Sequence, residues 1–235
     1  MMQDLIIIGA GGFGAEAAWF VREISVSRSA ESQFGGWNLL GFADSDQRKH
    51  RTMHAGYPVH GSVEQAAAVF ACCDLWFFCA VGDNIVRRRL AAAAQLLGWK
   101  PAAIVHPSAL IADTACILPG TLVGPLAVVS NNARVGRHVI VNMHASVGHD
   151  ALVGDYCQLM PGSRVSGSCE VSDLASLGSN AVLLPGTRVG EGALVGACSL
   201  ASGVVEEYTT VCGVPARAIR RGARDGACAT SHVAV

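Results

Sequence analysis

The hexapeptide Val147-Gly148-His149-Asp150-Ala151-Leu152 holds the two adjacent residues best suited to moving a proton. An imidazole titrates near neutrality and can take a proton from a nucleophile as that nucleophile attacks. A neighbouring carboxylate can orient the ring and stabilise the imidazolium that forms. The same pair would also serve as an ordinary polar corner, so spacing alone leaves both readings open. A second constellation lies near the start of the chain. Gly9-x-Gly11-x-x-Gly14, with Gly12 and Phe13 inside it, follows the apolar run Leu5-Ile6-Ile7-Ile8 and precedes a helical pattern. Glycines there let a phosphate approach the backbone N–H groups at the positive end of a helix. A tight βα turn needs glycine whatever it binds, and a dinucleotide fold needs two βαβ halves, more than roughly 100 residues hold. Asp44 ends the next strand pattern, where an acid can contact a ribose or base.

The elements that must carry these groups fall into two regions. From Ile111 to Ser199 the chain repeats every six residues without a break. The first position is always aliphatic, as in Val135, Val141, Val147 and Val153, and the fifth is nearly always small, as in Ala133, Ala145, Ala151 and Cys157. A helix would sweep a period of six around its cylinder, whereas a solenoid of short strands and corners keeps the aliphatic residue inward. Fifteen hexads at three per coil predict a triangular parallel β-helix of five coils, about 24 Å tall at roughly 4.8 Å per layer. Third and fourth positions then sit on the outer wall, which places His149 in a surface groove. Glycines at second positions, among them Gly124, Gly136, Gly148 and Gly178, suit corners where a side chain would collide or φ must be unusual.

Before residue 105 the pattern alternates strands and helices. Strands are expected at 5–8, 39–43 and 75–81, helices at 15–24, 63–71 and 84–97, and a loop at 25–37, which together predict a small parallel α/β sheet. The boundaries are a nucleotide-binding domain over 1–105, the β-helix over 106–221 and a loose tail over 222–235.

Bulk composition excludes several partners. The chain has 235 residues, 51% hydrophobic and 15% charged, with a net charge of −1, so it lacks the footprint of a nucleic-acid or anionic-lipid binder. The apolar run Leu5 to Ala10 is too short for a signal peptide or a membrane span. Nine scattered cysteines read as reduced thiols in a cytoplasmic protein.

Taken together, these motifs resemble the nucleotide-sugar acetyltransferases of the sialic acid O-acetyltransferase and bacillosamine or perosamine N-acetyltransferase type. The resemblance spans nearly the whole chain. It runs through Gly9 to Gly14, Gly41-Phe42-Ala43-Asp44, Ala80-Val81-Gly82-Asp83-Asn84 with Arg87, and His106-Pro107-Ser108-Ala109. It continues through Val141-Asn142, His149-Asp150 and Gly213-Val214-Pro215-Ala216-Arg217. It implies a Rossmann-like N-terminal domain followed by a left-handed β-helix, assembled as a homotrimer with sites between neighbouring prisms. It implies His149 as general base with Asp150 beside it, and Asn142 lining the acceptor pocket. Gly167, Ser179 and Ala197 would meet acetyl-CoA, while Gly12, Phe13, Asp44, Gly82, Asn84 and Arg87 would hold the nucleotide sugar. The implied reaction is acetyl transfer from acetyl-CoA, without a metal, to an amino group of a nucleotide-activated 4-amino-4,6-dideoxy sugar for surface polysaccharide or glycan assembly. Sugar O-acetylation is the alternative within the family. Phe13 and Gln158 stand where some members carry histidine, so contacts made through those histidines do not transfer.

Two other classes compete. His138, His144 and His149 on a β-helix resemble the γ-class carbonic anhydrases, which hold zinc with three histidines, although the third ligand's expected stretch offers only Ser108 and a displaced His106. A non-catalytic trimerisation stalk for a nucleotide-binding domain would give His149, Asp150 and Asn142 no reason to cluster.

Overall fold

The computed structural model describes residues 2–27, 36–71 and 73–222. Beyond Gly222 the expected tail lies outside the described residues, as does most of the expected 25–37 loop. The chain opens with β1 (Gln3–Ile8), α1 (Gly12–Val26), β2 (Trp37–Ala43), a small hairpin of β3 (Met53–His54) and β4 (Tyr57–Pro58), α2 (Val63–Val69), β5 (Trp76–Cys79), α3 (Asn84–Leu96) and β6 (Lys100–Pro101). Four of these strands form a parallel sheet in the order β2-β1-β5-β6. Successive side chains of a strand point to opposite faces. Accordingly Leu5 and Ile7 pack on the α1 side, and Ile6 and Ile8 pack with Val63, Ala66, Ala91 and Ala94 of α2 and α3. Helix α1 starts inside the glycine turn, three residues earlier than the apolar pattern alone indicates. Asp83 caps α3 by accepting from the amides of Ile85 and Val86, both at 2.9 Å.

The six-residue repeat folds as a parallel β-helix of three sheets. Each hexad is a two-residue strand at its sixth and first positions, then a turn. Strands such as Ile140–Val141 form the first face, Ser146–Val147 the second and Leu152–Val153 the third. First and fifth positions fill the interior: Val141, Ala145, Val147, Ala151 and Cys157 are fully buried. The fourth position is left-handed from Leu126 to Cys198, with non-glycine φ between 54° and 62°. Such a backbone costs an L-residue roughly 1 kcal/mol or more. It is repaid by a hydrogen bond to the previous coil, as from Asp150 N–H to the Asn131 carbonyl at 3.0 Å.

Two expectations change. The solenoid has six coils rather than five, because Ile104–Val105 already pairs with Leu122–Val123, its turn running through His106 and Pro107, and Leu200–Ala201 and Val204–Val205 continue the other two faces beyond the regular hexads. Six layers are about 29 Å tall. The second-position glycines are needed for space and not for φ. A Cβ on Gly148 would lie 2.6 Å from Gly167 N, and one on Gly178 would lie 2.5 Å from Ala197 N. At the far end, Thr209–Gly213 and Ala216–Arg221 form an antiparallel pair that continues the first face.

The α/β region sits on the first face. Ile104, Leu122 and Ile140 share one buried cluster with Ala17, Phe20 and Val21 of α1. Phe20 meets the His106 ring edge-on at 5.8 Å. Among the described residues, no helix is long and apolar enough to cross a membrane.

Candidate active site

Position along an 18-residue coil decides which corner a residue occupies. His149 and Asp150 turn the corner between the second and third faces. Nδ1 of His149 lies 2.8 Å from Asp150 Oδ2. A carboxylate only accepts, so Nδ1 carries a proton, and in the neutral ring Nε2 holds the lone pair. Hydrogen bonds from His149 and then Asn132 hold the Asp150 carboxyl below the usual carboxylate range. Gly167 is the same corner one coil later. A Cβ there would fall 2.5 Å from His149 Nε2, so the ring lies directly over a residue that must lack a side chain. Both acid-base side chains are open to solvent in the single chain, at 66% and 53%.

Asn142 turns the other corner, between the first and second faces. It is buried, and its Oδ1 accepts from Met143 N–H at 2.7 Å. Ser179 and Ala197 occupy this same corner on later coils. The expected site residues of one chain therefore divide. His149, Asp150 and Gly167 share one edge of the prism, and Asn142, Ser179 and Ala197 share the next. The intervening hexad can span up to about 20 Å of extended chain.

The glycine turn approaches the Asn142 edge from the α/β region, since Phe13 and Met143 pack against the same buried cluster. Its glycines differ in purpose. Gly9 has φ +106°, and a Cβ on Gly14 would strike the Gly9 carbonyl at 2.0 Å, so both are required by the turn itself. Gly11 and Gly12 face open space, leaving the start of α1 accessible. His54 Nε2 holds the Gly11 carbonyl at 3.0 Å. Phe13 meets Phe78 edge-on at 6.2 Å.

Three of the residues expected to hold the sugar nucleotide have partners within the protein. Asp44 points into the turn: Oδ2 accepts from Ala10 N–H at 2.7 Å and from Lys49 Nζ at 3.0 Å, and Oδ1 accepts from Asp46 N–H at 2.8 Å. Burial works against its charge, yet these donors hold the carboxyl below its ordinary value. Its oxygens thus brace the turn. Asn84 and Arg87 bind the α/β region to the solenoid. Arg87 is 1% exposed and donates to the carbonyls of Val81, His138 and Tyr156 at 2.8, 3.1 and 2.7 Å, and to Asn84 Oδ1 at 2.9 Å. Asn84 in turn donates to the Leu174 carbonyl at 2.8 Å and to Ser176 Oγ at 2.9 Å. Sequence spacing could not show this, because the partners in the solenoid lie 51 to 92 residues away. Gly82 is exposed, beside Gln158 of the first face.

The three-histidine alternative loses a ligand by geometry. His138 turns the third corner, is 2% exposed, and stacks between Phe77 at 5.8 Å and Tyr156 at 5.0 Å. Burial first, and Arg87 second, push its pKa down to about 4. His144 and His149 occupy the other two corners, so the three cannot converge within one chain. A cavity of about 820 Å³ beside the β3–β4 hairpin, lined by His50, Arg51, Met53, His60 and Gln65 among others, contains none of the expected site residues.

Comparison with known proteins agrees with this architecture. Residues 4–94 match the PglD N-terminal domain family. A stretch of 153 residues is 28% identical to the GDP-perosamine N-acetyltransferase of Escherichia coli O157:H7, covering 64% of each protein, so the match spans just under two thirds of that relative. Among solved structures, the acetyltransferase domain of PglB from Neisseria gonorrhoeae FA1090, in complex with acetyl coenzyme A, superposes with a TM-score of 0.79 at 28% identity, covering 93% of this chain and 100% of that one. PerB from Caulobacter crescentus, in complex with CoA and GDP-perosamine, gives 0.67 at 26%, covering 93% and 98%. The class defined by fold and sequence is a parallel β-helix carrying a PglD-type α/β domain. Within that class the chain is similar to the sugar acetyltransferases just described.

Proposed function

We propose that the protein transfers an acetyl group from acetyl-CoA to the amino group of a nucleotide-activated 4-amino-4,6-dideoxy sugar, for surface polysaccharide or glycan assembly in the cytoplasm. The observation that carries the chemistry is the His149–Asp150 pair, with Nε2 turned over the side-chain-free Gly167. The sugar amine attacks the thioester carbonyl, and a carbon–nitrogen bond forms. His149 Nε2 accepts the proton lost from nitrogen, with Asp150 stabilising the imidazolium. The tetrahedral intermediate then expels the CoA thiolate, to which the imidazolium returns the proton. A backbone N–H near Gly167 stabilises the oxyanion in this reading, supported by the Gly167 N–H having no acceptor among the described residues. Relatives acting on perosamine, one of them with GDP-perosamine bound, support an amino sugar as acceptor.

The two-corner division supports a shared site. The solvated His149 edge of one copy needs a second wall to exclude water and grip the pantetheine arm. The Asn142 edge of a neighbour, carrying Ser179, Ala197 and the adjoining glycine turn, can supply it. A threefold arrangement repeats that contact three times and closes. We therefore propose a homotrimer of about 73 kDa, three times the 24.3 kDa chain.

A panel of UDP-, GDP- and dTDP-linked amino sugars, assayed for CoA thiol release, tests the reaction. Turnover with an amino sugar is expected. Turnover only with the corresponding hydroxyl sugars would replace N-acetylation with O-acetylation.

A further inference from the structure

We infer that Asn132 is a positioning residue for the acid-base pair, acting through Asp150 from the coil below. This rests on the reading of His149 as the base. Asn132 occupies the same corner and the same fourth position as Asp150, 18 residues earlier, and its Nδ2 donates to Asp150 Oδ1 at 3.1 Å. The other carboxylate oxygen, Oδ2, faces His149 Nδ1 at 2.8 Å. One carboxylate thus bridges an amide on one side and an imidazole on the other. Its orientation is set from outside its own hexad.

The support continues downward. Asn132 N–H donates to Thr114 Oγ1 at 3.0 Å, again across 18 residues, and that hydroxyl lies 3.4 Å from Asn131 Oδ1. Asn132 and Asp150 both have φ of 58°, and Ser168, above them, has 56°. Left-handed backbone at this position is common to the corners, whatever the side chain, so it does not explain an asparagine here: Leu126 and Leu174 adopt it as well. What distinguishes Asn132 is the amide donor aimed at Asp150. The amide orientation follows from chemistry, since Oδ1 of Asn132 turned toward an ionised carboxylate would repel it.

The consequence concerns rotation of the Asp150 side chain. With Oδ1 anchored by Asn132, Oδ2 is held where it accepts from His149 Nδ1, and Nε2 is kept deprotonated and over Gly167. Without the anchor, a carboxylate that is 53% exposed can turn to solvent, and the imidazole can adopt the other tautomer or swing off Gly167. The bond strengthens in a covered cleft, where water no longer competes for the carboxylate.

Asn132→Gly removes the donor while accepting the left-handed backbone freely. It is expected to lower kcat about 3- to 10-fold, with the KM for acetyl-CoA and the melting temperature little changed. Asn132→Asp keeps the size but places a second carboxylate against Asp150, and is expected to lose more. A double-mutant cycle separates positioning from general support. In an Asp150→Asn background, Asn132→Gly should cost nearly nothing, because the group it orients is already altered. Equal losses in both backgrounds, or wild-type kcat in Asn132→Asp, would overturn the inference. His149→Ala in the same assay keeps the two readings apart. Full activity in His149→Ala sinks the base assignment itself. An inactive His149→Ala beside an unaffected Asn132→Gly leaves the base standing and removes Asn132 from its support.

Discussion

The two corners that flank the second face are built on one backbone plan and finished in opposite ways. At the Asn142 corner the α/β region supplies cover: Phe20 meets His106, Met143 packs into a shared core, and Asn142 itself is buried. At the His149 corner nothing among the described residues supplies cover, and a histidine–carboxylate pair stands in solvent, held by hydrogen bonds along the edge. Proton transfer to a base in bulk water gains little from preorganisation. On the proposed mechanism an exposed acid-base pair beside an edge carrying the α/β domain is half of a site, and the other half lies on the same chain but faces another direction.

The comparison can be broken most decisively at His149. His149→Ala should lower kcat about 100- to 10,000-fold while leaving acetyl-CoA affinity nearly intact, as measured by steady-state kinetics and calorimetry. Retention of more than half the wild-type rate from pH 6 to 9 would show that this corner is not the base. Next comes complementation between the corners. His149→Ala and Asn142→Ala homomers should each be weak, whereas mixed and reassembled subunits should regain activity. Random mixing in equal amounts restores about a quarter of clefts, since each needs one intact edge from either parent. No recovery in verified mixed oligomers would place both edges in separate sites. Light scattering showing a fully active 24.3 kDa species would remove the shared cleft altogether.

Two glycines of the His149 corner sharpen the contrast between scaffold and chemistry. A Cβ on Gly148 would meet backbone of the next coil, so Gly148→Ala should destabilise the fold by about 1 to 3 kcal/mol in urea titrations. The atoms nearest a Cβ on Gly167 belong to the His149 ring, the far end of a side chain that can turn aside. Gly167→Ala should therefore keep the melting temperature and lose activity. If both variants lose stability equally, the ring over Gly167 is not the movable element.

The third corner gives a pH signature. His138 is neutral in the fold, with a pKa pushed down to about 4 by burial and by Arg87, against Asp155, which raises it. In the unfolded chain a histidine titrates near pH 6.5, so between those values the unfolded state binds more protons. Stability is thus fully present above about pH 6.5 and declines as pH falls toward 4, by about 3 kcal/mol in total. Urea unfolding at several pH values should show this slope, and His138→Asn, which suits the left-handed backbone, should flatten it. An equal slope in both proteins would assign the acid sensitivity elsewhere.

The sequence by itself determined the repeat unit and its inward-facing residues. A period of six with aliphatic first and small fifth positions has one steric solution, and the buried Val147 and Ala151 bear it out. The strand–helix alternation and the glycine turn were legible for the same reason: they depend on neighbours within a few residues. His149 beside Asp150 was visible as a pair, and the Asn132 support could have been found by looking 18 residues back. Only the tertiary structure decided which edges the residues share, because Gly167 lies one coil from His149 whereas Ser179 and Ala197 stack above Met143, at the corner that Asn142 turns. It alone turned Asn84 and Arg87 into struts. Their acceptors in the solenoid are backbone carbonyls and a hydroxyl brought close by packing α3 against a face assembled much later in the chain. A carbonyl leaves no mark in the identity of its residue, so no pattern of side chains could have announced that contact.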